Sequence, residues 1–94
     1  MIRSFADKRT ANAFNGVRDG SFPASLMKRA GSKLDRINYA ASINDLRAPP
    51  GNRLERLRGA RDGQYSIRVS REWRVCFVWN DGDAFEVELT NHYD

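Results

Sequence analysis

Gln64-Tyr65-Ser66-Ile67-Arg68-Val69-Ser70-Arg71, followed directly by Glu72-Trp73-Arg74-Val75-Cys76-Phe77-Val78-Trp79, alternates apolar and polar side chains along most of its length. A period of two is the signature of a strand with two unlike faces. The first run puts Tyr65, Ile67 and Val69 on one face and Gln64, Ser66, Arg68 and Ser70 on the other. The second puts Trp73, Val75, Phe77 and Trp79 on one face and Arg74, Cys76 and Val78 on the other. Asn80-Asp81-Gly82-Asp83 then predicts a tight hairpin, since Asp-Gly supplies the positive φ angles of a two-residue turn. Ala84 to Thr90 is read as a last strand, with Phe85, Val87 and Leu89 inward and Glu86 and Glu88 outward. Three strands in a meander decide the fold of the second half.

Upstream, Gly59 to Gly63 turns the chain, and Arg53 to Arg58 is read as a further strand although Leu54 and Leu57 are three apart. Ala48-Pro49-Pro50-Gly51-Asn52 breaks the pattern before it. The first half is helical. Leu26, Ala30, Leu34, Ile37 and Ala41 recur at spacings of four, four, three and four, an apolar stripe on one side of a helix that Ser21-Phe22-Pro23 opens. Lys28, Arg29, Lys33 and Arg36 fall off that stripe. Asp7 is a candidate N-cap for an earlier helix from Lys8 to about Val17, with Ala11 and Phe14 on one face and Asp19-Gly20 ending it. Met1 to Phe5 suits a short opening strand. The expected architecture is α+β: a strand and a two-helix hairpin packed on one face of a mainly antiparallel sheet of about four to five strands. The other face is left to Arg68, Arg74 and their neighbours. Ninety-four residues (1–94) are expected to form a single domain, and there are no internal repeats.

Charge is the informative bulk property. The net charge is +4, the isoelectric point near 9.7 and the mean hydropathy −0.68. Thirteen of the 16 basic residues are arginine, whose planar fork of donors matches phosphate oxygens and whose charge never titrates away. Seven arginines lie between Arg53 and Arg74 against three acids, whereas Asp81 to Asp94 holds five acids and no lysine or arginine. A basic centre beside an acidic segment points to a polyanion site on one face and a different task on another. No stretch approaches the roughly 18 apolar residues of a membrane helix, and the first residues lack the apolar core of a signal peptide. A cytoplasmic protein with no membrane partner is the expectation. Cys76 is the single cysteine, so an internal disulfide and a cysteine-based zinc cluster are excluded.

There is no glycine-rich phosphate loop, no nucleophile elbow, and no second histidine to join His92 at a metal. What remains is an arginine-bearing strand face and the polar tail Asn91-His92-Tyr93-Asp94. Those parts suit RNA cleavage through the substrate's own 2′-hydroxyl, which needs no cofactor. Arginines hold the phosphate and neutralise the charge added in the transition state. A histidine moves protons at the 2′-oxygen and the 5′-leaving oxygen. Plainer readings stand beside this one. Arg74 pairs with Glu86 or Glu88 on the next strand; His92 is an exposed polar residue; Arg53, Arg56 and Arg58 form a charged sheet edge; Cys76, Trp73 and Trp79 are core.

Pro49-Pro50-Gly51-Asn52-Arg53-Leu54-Glu55-Arg56-Leu57-Arg58-Gly59, Gln64 to Val69, Trp73-Arg74-Val75-Cys76-Phe77 and Trp79 to Ala84 together closely resemble the HigB family of the RelE/ParE toxin superfamily. The start Met1-Ile2-Arg3-Ser4-Phe5 and the Leu34-Asp35-Arg36-Ile37-Asn38 region resemble it too, so the likeness spans most of the chain. The resemblance implies a RelE-like fold and ribosome-dependent cleavage of mRNA without metal or cofactor. It also implies a helix-turn-helix antitoxin of the HigA kind as partner, with operator DNA bound only through the toxin–antitoxin complex. By position, Arg74 would stabilise the transition-state phosphate with support from Arg68. Arg53, Arg56 and Arg58, with Arg61 and Arg71 beside them, would grip mRNA and ribosomal RNA. Many relatives end in Asp-Tyr-His where this chain has Asn91-His92-Tyr93. A ParE-like poison of DNA gyrase and a non-catalytic RNA- or ribosome-binding module share the fold and are the alternatives.

Overall fold

The computed structural model describes residues 1–18 and 20–93; Asp19, expected to help end the first helix, and Asp94 in the tail lie outside the described residues. Helix α1 spans Lys8–Asn15 and α2 spans Ala24–Tyr39. Short 3-10 turns follow at Ile43–Arg47 and Pro50–Asn52, and another occupies Gly59–Arg61. The strands are β1 Glu55–Arg56, β2 Gln64–Arg68, β3 Arg74–Asn80 and β4 Asp83–Thr90, in the antiparallel order β1-β2-β3-β4. The two helices pack together and against β3 and β4.

Asp7 caps α1 as its position predicts, accepting from the Thr10 N–H at 2.8 Å. The helix stops two residues earlier than expected, because Gly16 takes the left-handed conformation (φ 71°) and lets the Val17 N–H reach the Asn12 carbonyl at 2.8 Å. Its deepest residues are Thr10 and Ala13; Ala11 and Phe14 are half-buried on the flank, where Phe14 meets Phe5 at 5.6 Å. The stripe of α2 is as read at Leu26, Ala30, Leu34 and Ile37. Its last member is Ala40 rather than Ala41, since the helix ends at Tyr39 and the extended Ala40 turns inward.

The β half needs three corrections. The strand expected over 53–58 is two residues long: Arg53 is left-handed (φ 45°), which bends the chain out of the sheet before Leu54. The strand expected to run to Arg71 ends at Arg68, where the Val69 and Ser70 N–H groups both turn to the Trp73 carbonyl at 2.9 and 3.1 Å. In β4, Ala84, Val87 and Leu89 face the core, while Phe85 does not. Cys76 pairs with Glu88 and Val78 with Phe85, so two residues of β4 oppose Phe77 alone. Glu86 absorbs the extra length at φ 51°, and such a bulge swaps the faces on either side of it.

The opening segment is two isolated parallel bridges on β4, Ile2 to Ala84 and Phe5 to Val87. The bulge interrupts them, and the Ser4 hydroxyl covers the gap by accepting from the Glu86 N–H at 2.8 Å. The hairpin is as read, with Asp81 at φ 51° and Gly82 at φ 81°.

Thr10 ties helix to sheet. Fully buried, it donates to Asp7 Oδ1 at 2.7 Å and accepts from the Leu89 N–H at 3.0 Å. Thr10→Val keeps the shape but leaves that N–H unpaired and weakens the cap. The expected loss is about 1–3 kcal/mol in urea unfolding, with Thr10→Ser near wild type; a neutral Thr10→Val would remove this bond from the account.

Candidate functional site

The cross-strand register builds a polar face opposite the helices. Arg68 pairs with Arg74 and Arg74 with Thr90; one row further on, Glu55, Ser66, Cys76 and Glu88 line up. Arg74 is the centre of this face and is only 6% exposed. Its Nε–H donates to Ser66 Oγ at 2.7 Å, and Nη2 donates to the Ser66 carbonyl at 3.3 Å and to the Arg53 carbonyl. The left-handed turn at Arg53 belongs to the same chain bend that brings that carbonyl to the guanidinium. Nη1 stands 4.0 Å from the half-exposed Glu55 carboxylate, beyond hydrogen-bond reach. Of the five N–H donors of an arginine, three anchor Arg74 to its own chain, and the two on Nη1 make no hydrogen bond among the described residues. The Tyr93 ring lies over the guanidinium at 5.8 Å. Arg74 therefore pairs with β1 and β2, not with Glu86 or Glu88.

Arg61 is occupied otherwise than a phosphate-gripping residue would be. Its guanidinium donates to Glu88 Oε1 at 3.0 Å, to Gln64 Oε1 at 3.2 Å and to the His92 carbonyl at 3.0 Å. The Gly59–Arg61 turn is thus clasped to β4 and to the tail. His92 also sends its own N–H to Thr90 Oγ1 at 2.9 Å. Its imidazole is exposed and makes no hydrogen bond among the described residues, and Asn91 is exposed as well. The other arginines do not form one continuous strip. Arg56 lies over the Tyr65 ring at 5.8 Å, Arg58 is exposed beside it, and Arg71 is exposed in the β2–β3 turn. Arg53 reaches the centre through its carbonyl only. Arg68 shares the face of Arg74 but sends Nε to the Ser70 carbonyl at 3.1 Å and borders a separate cleft beside α2.

Cys76 is fully buried, and burial pushes its thiol up to about 11, so it stays protonated and acts as a small packing residue. Trp73 and Trp79 are half-buried against the core, Trp73 edge-on to Phe22 at 5.3 Å. Among the described residues no group of three histidine, cysteine or acidic side chains is placed to hold a metal. No helix among the described residues is long and apolar enough to cross a membrane.

The profile of the HigB-like toxins, described as the RelE-like toxin of the type II toxin–antitoxin system HigB, matches residues 3–92. The chain belongs to the HigB family. It is 41% identical over 93 residues to "Toxin HigB-1" of Vibrio cholerae serotype O1, covering 98% of each chain. It is 33% identical over 94 residues to "Endoribonuclease HigB" of Proteus vulgaris, covering 99% of this chain and all of that one. Its fold is similar to that of the solved YoeB–YefM complex from Staphylococcus aureus, with a TM-score of 0.63 over 99% of both chains at 16% identity. In this HigB-family chain the partners of Arg74 are what the sequence concealed. Ser66 lies on the arginine face by alternation alone, but its bond to Arg74 depends on the strand register. Glu55 and the Arg53 carbonyl reach the site through a backbone bend that no residue type there announces.

Proposed function

We propose that this HigB toxin is an mRNA endoribonuclease acting at the ribosome. The observation that carries the reading is the buried Arg74, locked by Ser66 and Arg53, with both Nη1 donors left over among the described residues. A charge held in advance by three bonds needs no reorganisation when a phosphate gains charge. The substrate's 2′-oxygen attacks its neighbouring phosphorus and the 5′-oxygen departs, leaving a 2′,3′-cyclic phosphate and a 5′-hydroxyl end. Arg74 stabilises the five-coordinate phosphate, which enters where Tyr93 gives way over the guanidinium. Tyr93 stacks on a base. His92 carries one of the two proton transfers, taking the 2′-proton or protonating the departing 5′-oxygen, and solvent water carries the other. Arg53, Arg56, Arg58 and Arg71 contact RNA backbones, and Arg61 holds the tail in place rather than the RNA. The relative named as an endoribonuclease, aligned over the whole chain, supports this reading. A helix-turn-helix antitoxin silences the toxin and carries the complex to operator DNA, in the cytoplasm.

The gyrase-poisoning alternative has no use for a rigid, part-spent guanidinium under a tail aromatic. Two assays separate the readings. Added to a translating extract, the protein is expected to remove full-length reporter mRNA within minutes. Added to gyrase with relaxed plasmid, it should leave supercoiling unchanged. Intact mRNA together with trapped, cleaved plasmid would assign it to gyrase instead.

A further inference from the structure

A second basic cleft lies off the Arg74 centre, of about 430 Å³, lined by Arg29, Ser32 and Lys33 of α2, by Gly51, and by Arg68 and Ser70 at the end of β2. It exists because β1 is too short to cover the edge of β2. The pairing of β1 stops at Ser66, and the chain bends away at Arg53, leaving the stretch from Arg68 to Ser70 beside the flank of α2. Among the described residues no carboxylate lines it. Among the described residues none of Arg29, Lys33 and Arg68 makes an ion pair. Lys33 donates to Asn52 Oδ1, a neutral partner, and Arg68 donates to a backbone carbonyl. Asn52 is fully buried and spends its amide on the carbonyls of Leu46 and Ala48 at 3.2 and 3.1 Å. The lysine is therefore held by a fixed acceptor at the cleft wall. Burial, then Arg36 and Arg29, hold its ammonium below the usual lysine range.

We infer that this cleft binds a phosphodiester of RNA, a second backbone contact beside the scissile one. Three cations without a counter-charge attract an anion, and the hydroxyls of Ser32 and Ser70 add donors that suit phosphate oxygens. Its position favours RNA over an acidic protein segment. Arg68 on its wall is the cross-strand partner of Arg74, and the chain runs from Gly51 through Asn52 to Arg53, whose carbonyl holds Arg74. A strand seated at Arg74 therefore continues toward the cleft. The inference rests on the reading of the chain as an RNA-acting toxin, but its test does not depend on cleavage.

The probe is a fluorescein-labelled, fully 2′-O-methylated RNA oligonucleotide, which offers no 2′-hydroxyl for attack. Binding by anisotropy is compared for wild type, Arg29→Gln, Lys33→Gln and Arg18→Gln. Arg18 is an exposed cation outside the cleft, so its variant reports the cost of lost net charge alone. Each cleft variant is expected to weaken binding about tenfold and to lower the slope of log K against log salt by about 0.7 per lost contact, with Arg18→Gln near wild type. Arg29 is exposed on the helix flank, so its variant reports on the cleft even if Lys33→Gln loosens the loop that Asn52 holds. Equal losses in Arg18→Gln would reduce the effect to bulk charge and overturn the inference. So would cleft variants that bind RNA as wild type does, whether or not they escape the antitoxin. Failure of the nuclease reading alone would show as intact mRNA in the extract with this binding pattern unchanged.

Discussion

Arg74→Ala is expected to lower the rate of mRNA loss in a translating extract by about 10²–10³, the usual effect of removing one preorganised donor of transition-state charge. The substitution also orphans Ser66 Oγ and the Arg53 carbonyl, at about 1–3 kcal/mol of stability. Loss of folding is therefore a competing explanation, and Arg74→Lys answers it. A lysine keeps the positive charge but has no fork to span Ser66 and Arg53 while facing a phosphate. Both variants should keep a cooperative thermal transition and should fall together in activity. An Arg74→Lys protein as active as wild type would mean that charge alone suffices and that the three-point anchoring is incidental. A fully active, folded Arg74→Ala would remove Arg74 from the chemistry altogether.

The second large effect is expected at Arg61, which is basic in the sequence yet structural in its contacts. Its three partners join the 59–61 turn, β2 and β4 to the His92 carbonyl. The Arg61–Glu88 pair is largely shielded from solvent, with side chains 19% and 27% exposed. Breaking a shielded pair leaves Glu88 without its partner, so a measurable loss of stability accompanies the change. Arg61→Ala should free the tail and slow cleavage about 10–100-fold, since small displacements of positioned groups carry penalties of that order. A role in holding the tail is distinguished from RNA contact by a double-mutant cycle with deletion of residues 91–94. If Arg61 acts through the tail, Arg61→Ala adds little further loss of activity to the deletion. The salt dependence of RNA binding should also stay as in wild type. Additive losses with a shallower salt slope would return Arg61 to the RNA-contacting set.

These two arginines show how far the sequence could be read. The alternation around Arg74 placed it on the polar face of a central strand, and the family likeness gave it a role. The period of two says which face a residue takes, but not which neighbour it touches. That depends on register, and register put Ser66 and Glu55, not Glu86 or Glu88, beside it. The same limit hid the bulge at Glu86. One inserted residue moved Phe85 off the core face, while Val87 and Leu89 stayed where alternation placed them. The helices were more legible, because a stripe such as Leu26 to Ile37 is local, and Asp7 and Pro23 mark where the helices begin. Arg53 was the hardest case. An arginine between Asn52 and Leu54 gives no sign of a left-handed backbone, yet that turn both truncates β1 and delivers a carbonyl to Arg74. Dense charge read as one gripping surface divides, in the structure, into an anchored centre, a clasp at Arg61 and a separate cleft under Arg68.

In the proposed mechanism an anchored Arg74, under a tail bearing His92 and Tyr93, cuts mRNA on the ribosome. That mechanism is tested most directly by mapping new mRNA 5′ ends by primer extension in a translating extract, with wild type and Arg74→Ala side by side. The expected ends lie inside codons, carry a 5′-hydroxyl, depend on active translation and vanish with the variant. Ends that persist with Arg74→Ala, or no new ends from a protein that still arrests growth, would contradict it.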